Sequence, residues 1–132
     1  MFKPCSKGCQ YTLRVLAFVF AERMQGSFRA KEVCEQVGVP ESFTRKILQT
    51  LVRNGLLETR RGPKGGYTVV GSPRDLTFLD VIKSVDGEDT FDECILGASE
   101  HNESNPCPFH ESWMKVRAGL LEYLGQTHLA RD

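Results

Sequence analysis

Four residues in the C-terminal third of the chain, Cys94, His101, Cys107 and His110, carry side chains that bind metals or exchange electrons. Six residues separate Cys94 from His101, five separate His101 from Cys107, and two separate Cys107 from His110. The stretch that holds them, Asp86 to Pro108, is polar and has no other evident use for soft ligands. Two thiolates and two imidazoles form the ligand set of a tetrahedral structural zinc site, and the Cys-x-x-His spacing suits it. A metal-free reading stays open as well: His110 then caps the last helix near Trp113, and the two cysteines are a reducible pair or free thiols. The chain has five cysteines; with no export signal read from the sequence, that odd number argues against a disulfide scaffold. A thiol oxidoreductase using Cys94 and Cys107 is disfavoured. The chain has no Cys-x-x-Cys pair, and no nucleophile stands with a base in a strand-turn-helix context.

A second chemistry lies upstream. Residues Glu58 to Val70 read Glu-Thr-Arg-Arg-Gly-Pro-Lys-Gly-Gly-Tyr-Thr-Val-Val, a hairpin with Arg60, Arg61 and Lys64 at its tip and no anion there. The flanks Leu56 to Thr59 and Tyr67 to Val70 suit strands, while Gly62, Pro63, Gly65 and Gly66 supply turn dihedrals and allow close approach to a phosphate. The loop opens no helix, so neither nucleotide-binding glycine fingerprint fits. Three unneutralised cations on a hairpin suit a wing gripping a polyanion.

The elements needed to place such a wing precede it. Arg29 to Gln36 reads as a short helix with Val33, Cys34 and Val37 inward, broken by Gly38, and Cys34 fills a small core position. Pro40 suits the first turn of a second helix running to about Arg53. Its expected inward face is Phe43, Ile47, Leu48, Leu51 and Val52, leaving Ser42, Thr44, Arg45, Lys46, Gln49 and Arg53 outside. These are donors suited to base edges and phosphates, best placed near the helix N-terminus. Asn54-Gly55 ends the helix and starts the wing.

The formal net charge of zero hides an asymmetry. Residues 1–70 carry 12 Lys and Arg against 5 Asp and Glu, a net of +7, whereas residues 71–132 carry 5 against 12, a net of −7. The basic half coincides with the helix pair and hairpin, so double-stranded DNA is the expected partner. No apolar run is long enough to span a bilayer, and no small-residue cleavage site follows the apolar stretch near residue 20; a cytoplasmic protein with no membrane partner is expected. A winged helix used purely for protein docking is the rival reading, and specific duplex binding at physiological salt decides against it.

Three further helices complete the reading. Tyr11 to Met24 has Leu13, Leu16, Ala17, Phe20, Ala21 and Met24 on one stripe, widened by Val15, Phe18 and Val19. Thr77 and Asp80 resemble a capping pair opening a helix from Phe78 to Val85, ended by Gly87. The last helix, about Phe109 to Leu124, aligns Phe109, Trp113, Val116, Leu120 and Leu124, more apolar surface than a lone terminal helix can leave bare. Packing against the first helix of a second subunit is the simplest remedy, making the protein a homodimer. The expected fold class is mainly α with a small β-hairpin. A winged helix-turn-helix domain covers residues 1–85 with its wing at about 56–70, a ligand loop covers 86–108, and a dimerisation helix and tail cover 109–132.

Five segments together resemble the Rrf2 family of winged helix-turn-helix transcription regulators. They are Tyr11 to Arg14; Val39-Pro40-Glu41-Ser42-Phe43; Arg61-Gly62-Pro63-Lys64-Gly65-Gly66-Tyr67; Leu76 to Ile82; and Cys107-Pro-Phe-His110-Glu-Ser-Trp113. The resemblance covers most of the chain and implies a dimer on a palindromic operator, with Arg61 as the wing arginine entering the minor groove. It makes Ser42, Thr44 and Arg45 base-reading or phosphate-contacting positions. It also implies a [2Fe-2S] cluster held by Cys94, Cys107 and other residues, His101 standing where cluster-bearing relatives carry a middle cysteine. Histidine on an iron-sulfur iron raises the potential, which suits a redox switch. Some relatives supply a carboxylate from across the dimer at the position of Gln10. Glutamine is a poor substitute, and Cys9 or Cys5 offers a thiolate in its place; the other reading of those two is surface thiols at a mobile terminus.

Overall fold

The computed structural model describes residues 5–22, 27–63, 65–92, 94, 96 and 104–130. In these, α1 (Lys7–Ala21), α2 (Ala30–Val37) and α3 (Glu41–Arg53) precede a two-stranded antiparallel sheet of β1 (Leu57–Arg60) and β2 (Gly66–Val69), and α4 (Phe78–Asp86) and α5 (His110–Gln126) follow. The mainly helical fold with one hairpin is as the sequence indicates. Among the described residues no helix is long and apolar enough to cross a membrane.

Local chemistry explains the boundaries. The Ser6 hydroxyl accepts from the Cys9 amide and starts α1, so this helix begins a turn earlier than the apolar pattern suggests. Gly38 ends α2 with φ of 74°, a left-handed conformation in which its amide returns to the Cys34 carbonyl. Pro40 is the N-cap of α3, one position before the first turn expected for it. Thr77 and Asp80 form a reciprocal capping box at the start of α4, and Gly87 closes that helix.

The core lies between α1, α2, α3 and α4, with Val15, Leu16, Val19, Val33, Leu48, Leu51, Val81 and Ile82 buried. Three expectations need correction. In α1, Ala17 and Ala21 are exposed and the buried face runs through Cys9, Thr12, Leu13, Val15, Leu16 and Val19; Met24 lies outside the described residues. In α3 the buried stripe is Thr44, Leu48 and Leu51, so Thr44 points inward and Phe43, 43% exposed, does not. The cause is a second neighbour. A Cβ at Gly8 would sit 3.0 Å from the Ile47 side chain, and Tyr11 meets Phe43 edge-on at 5.9 Å, so Phe43 and Ile47 lean against the start of α1. In α5 the expected single stripe splits. Trp113 and Leu124 are buried within the chain, while Phe109 and Val116, toward one edge of the same stripe, are exposed.

Candidate nucleic-acid interface and thiol site

The wing is a four-residue ladder in which Leu57 pairs with Val69 and Arg60 with Gly66. Its tip cannot be built without glycine at two positions. A Cβ at Gly65 would overlap the Arg60 carbonyl, and one at Gly66 would overlap the Phe28 carbonyl while φ stands at +136°. Phe28 and Tyr67 exchange two backbone hydrogen bonds of 2.8 Å, which fastens the wing to the segment leading into α2. The Gln49 side chain on α3 donates to the Tyr67 hydroxyl at 3.0 Å, so α3 and the wing are tied to each other. Arg60 and Arg61 are exposed at the tip, and Lys64 lies outside the described residues.

On α3, Ser42, Arg45, Lys46 and Gln49 are all exposed. Arg45 pairs with Glu41 at 2.6 Å, both side chains in solvent. An exposed pair of this kind is weak, so the guanidinium can be recruited by a stronger anion. Thr44 does not join them. Its hydroxyl is buried beside the Cys34 thiol, and Cys34 is a core residue as its place on α2 suggests. One contributor escapes sequence reading: the Arg29 guanidinium donates to the Gly62 and Pro63 carbonyls of the wing tip.

The thiol site is assembled by the segment before α5. The sulfurs of Cys94 and Cys107 lie 3.6 Å apart, and the Leu96 amide donates to the Cys94 sulfur at 3.4 Å. Cys107 is buried and Cys94 half-buried. The His110 amide donates to the Cys107 carbonyl, setting His110 as the first residue of α5. Arg117 of α5 donates to the carbonyl of buried Phe91, fastening this helix to the start of the loop. His101 lies outside the described residues, and among those described no group of three or more Cys, His, Asp or Glu is poised to hold a metal ion. The pair itself fits one metal: with metal–sulfur bonds of about 2.3 Å, two thiolates on a tetrahedral centre stand about 3.8 Å apart.

The two N-terminal cysteines differ in burial, and Cys9 does not lie on a surface. Cys9 is fully buried in the core and Cys5 is half-buried beside it. Burial pushes the Cys9 thiol well above the ordinary thiol range, with Cys5 and Asp86 adding to the effect. Gln10 is exposed. Because the folded pKa of Cys9 lies above the unfolded one, the folded state retains a proton that the unfolded chain releases above pH of about 8.5. Stability is therefore complete below that pH and falls above it, by up to about 1.4 kcal/mol per pH unit. Urea unfolding at neutral and alkaline pH is expected to show a steeper loss for the native chain than for Cys9→Ala; parallel losses would mean that Cys9 ionises freely in the fold.

The sequence profile of the family described as "Rrf2: Iron-dependent Transcriptional regulator" matches residues 5–131. The chain belongs to the Rrf2 family. Rrf2 proteins are transcription regulators that bind DNA, not enzymes. Among relatives, the chain is 25% identical over 117 residues to the HTH-type transcriptional regulator NsrR of Bacillus licheniformis, covering 88% of this chain and 82% of that protein. It is 30% identical over 85 residues to NsrR of Bacillus subtilis, covering 64% of this chain and 58% of that protein. Its fold is similar to that of CymR, the global cysteine regulator of B. subtilis, with a TM-score of 0.77, 22% identity and coverage of 98% and 94%. T. potens IscR superposes with a TM-score of 0.67 at 26% identity, covering 94% of this chain and 81% of that one.

Proposed function

We propose that this Rrf2 protein is a homodimeric regulator that reads a palindromic operator in the cytoplasm and senses redox or iron-sulfur status through a [2Fe-2S] site built on Cys94 and Cys107. The observation that carries the sensor is the 3.6 Å separation of the two sulfurs, with a backbone N–H directed at one of them. Such an amide favours the thiolate, the form that binds metal. In this reading His110 and His101 supply further ligands, and exposed Gln10 or half-buried Cys5 of a second copy completes the set; fully buried Cys9 is poorly placed for that role. A [2Fe-2S] cluster held there would supply one-electron redox chemistry. The same sulfur contact supports a second reading, a dithiol that closes to a disulfide without metal, and zinc is the alternative occupant.

On DNA, the N-terminal half of α3 with Ser42, Arg45 and Lys46 enters the major groove, Gln49 braces the wing, and Arg60, Arg61 and Lys64 follow the backbone into the adjacent minor groove. The loop has a physical connection to this surface. Asp86, the last residue of α4, accepts from the Ser6 amide at 2.8 Å and from the Ser6 hydroxyl, and Ser6 caps the helix whose Gly8 and Tyr11 support Phe43 and Ile47 of α3. Gel retardation of duplexes selected from a random pool tests operator reading at physiological salt. Enrichment of a palindrome supports it, and retardation indifferent to sequence refutes it.

The dimer rests on α5. Phe109, Val116 and Tyr123 are exposed at seven-residue intervals, the period of a helix seam. Gly119 falls on that face with no neighbour within 4 Å of a Cβ placed there. In an isolated helix Gly119→Ala would stabilise by about 0.5–1 kcal/mol. In a close-packed seam the added methyl is expected to weaken the dimer. Sedimentation equilibrium on this variant should show more monomer than the native chain; an unchanged dimer with higher thermal stability would place the interface elsewhere.

A further inference from the structure

We infer that Arg29 is a positioning residue for minor-groove reading: its guanidinium clasps the tip of the wing and sets where Arg61 enters the groove. This rests on the proposed operator reading and extends it to a side chain outside both the recognition helix and the hairpin. Strand β2 is well tied, by the Phe28–Tyr67 bridge and by Gln49 on the Tyr67 hydroxyl. The tip is different. Cross-strand pairing stops at Arg60 and Gly66, and beyond it the turn is closed by the Gly65 amide on the Gly62 carbonyl at 2.9 Å. Two side chains from the segment before α2 then reach it. Ser27 donates to the Gly65 carbonyl at 3.3 Å, and Arg29 donates to the carbonyls of Gly62, at 3.2 Å, and Pro63.

Those carbonyls immediately follow Arg61 in the chain, so the clasp acts on the backbone that carries the groove-reading side chain. A glycine-rich tip has a large conformational entropy to lose on binding. Ordering it before DNA arrives removes that cost from the binding step. Arg suits the task because its planar fork offers several directed donors to adjacent carbonyls, whereas an ammonium is a compact, strongly hydrated charge.

Clasp and phosphate contact leave different traces in salt dependence. The probes are a palindromic duplex recovered from a random pool by the native protein and the same duplex with its A·T flank replaced by G·C, each titrated at several salt concentrations. Arg29→Ala is expected to weaken binding to the A·T duplex about tenfold or more, to narrow the preference over the G·C duplex, and to leave the slope of log K against log salt unchanged. Arg29→Lys, which keeps the charge and loses the planar fork, should behave like Arg29→Ala. A slope lowered by about one in Arg29→Ala, with binding restored by lysine, would make Arg29 a phosphate contact and overturn the clasp. Native affinity and preference in Arg29→Ala would overturn it too. Failure of the native protein to enrich any duplex would remove the operator reading beneath it, a result distinct from either. Thermal unfolding of each variant confirms that the exposed substitution leaves the fold intact.

Discussion

Arg61→Ala is expected to bind a selected operator roughly 5- to 150-fold more weakly than the native chain, the equivalent of about 1–3 kcal/mol. Arg61 stands exposed at the first position beyond β1, on a tip whose glycines allow the backbone close to DNA. Its neighbours define the form of the loss. If the guanidinium meets phosphate, the salt slope falls by about one; if it reads the narrow minor groove of an A·T tract, the slope holds and A·T preference disappears. The ladder and the Phe28–Tyr67 bridge are backbone pairings that do not include Arg61, so the fold should be untouched. Superimposable binding curves at several salt concentrations would take the wing out of the mechanism.

Cys107→Ser should abolish any visible chromophore and leave a folded dimer. Its sulfur is the buried member of the 3.6 Å pair, and a serine hydroxyl replaces a soft thiolate by a hard, protonated oxygen. The fold should tolerate the change, because burying one hydroxyl costs on the order of 1–3 kcal/mol against a typical domain stability of about 5–15 kcal/mol. Undiminished colour in this variant would place the ligands elsewhere in the chain.

Those parts of the fold coded by local chemistry were legible in the sequence. The wing was readable because only glycine tolerates the Gly65 and Gly66 positions, and α4 because Thr77 and Asp80 cap it reciprocally. The site residues Ser42, Arg45, Lys46, Arg60 and Arg61 stand exposed. What hydropathy could not show was the choice among apolar faces. Polarity puts Thr44 outside, yet it joins Leu48 and Leu51 in the buried stripe of α3, while Phe43 and Ile47 pack at its edge against Gly8 and Tyr11. The two readings of Cys9, a ligand reaching across a dimer or a surface thiol, both place it near a surface, but Ser6 caps α1 early and Asp86 holds Ser6, which carries Cys9 into the core. Within the single α5 stripe, hydropathy does not separate the buried Trp113 and Leu124 from the exposed Phe109 and Val116; packing within the chain does. Arg29 left no periodic signal, because its partners are carbonyls more than thirty residues away.

The sensor is tested most directly by an absorption spectrum from about 300 to 700 nm, with iron, sulfide and zinc analysis, on protein purified without oxygen. Broad visible bands with iron and sulfide in near-equal amounts are the expected result. A colourless protein holding stoichiometric zinc, or no metal, would contradict the [2Fe-2S] assignment and leave Cys94 and Cys107 as a structural zinc pair or a thiol switch.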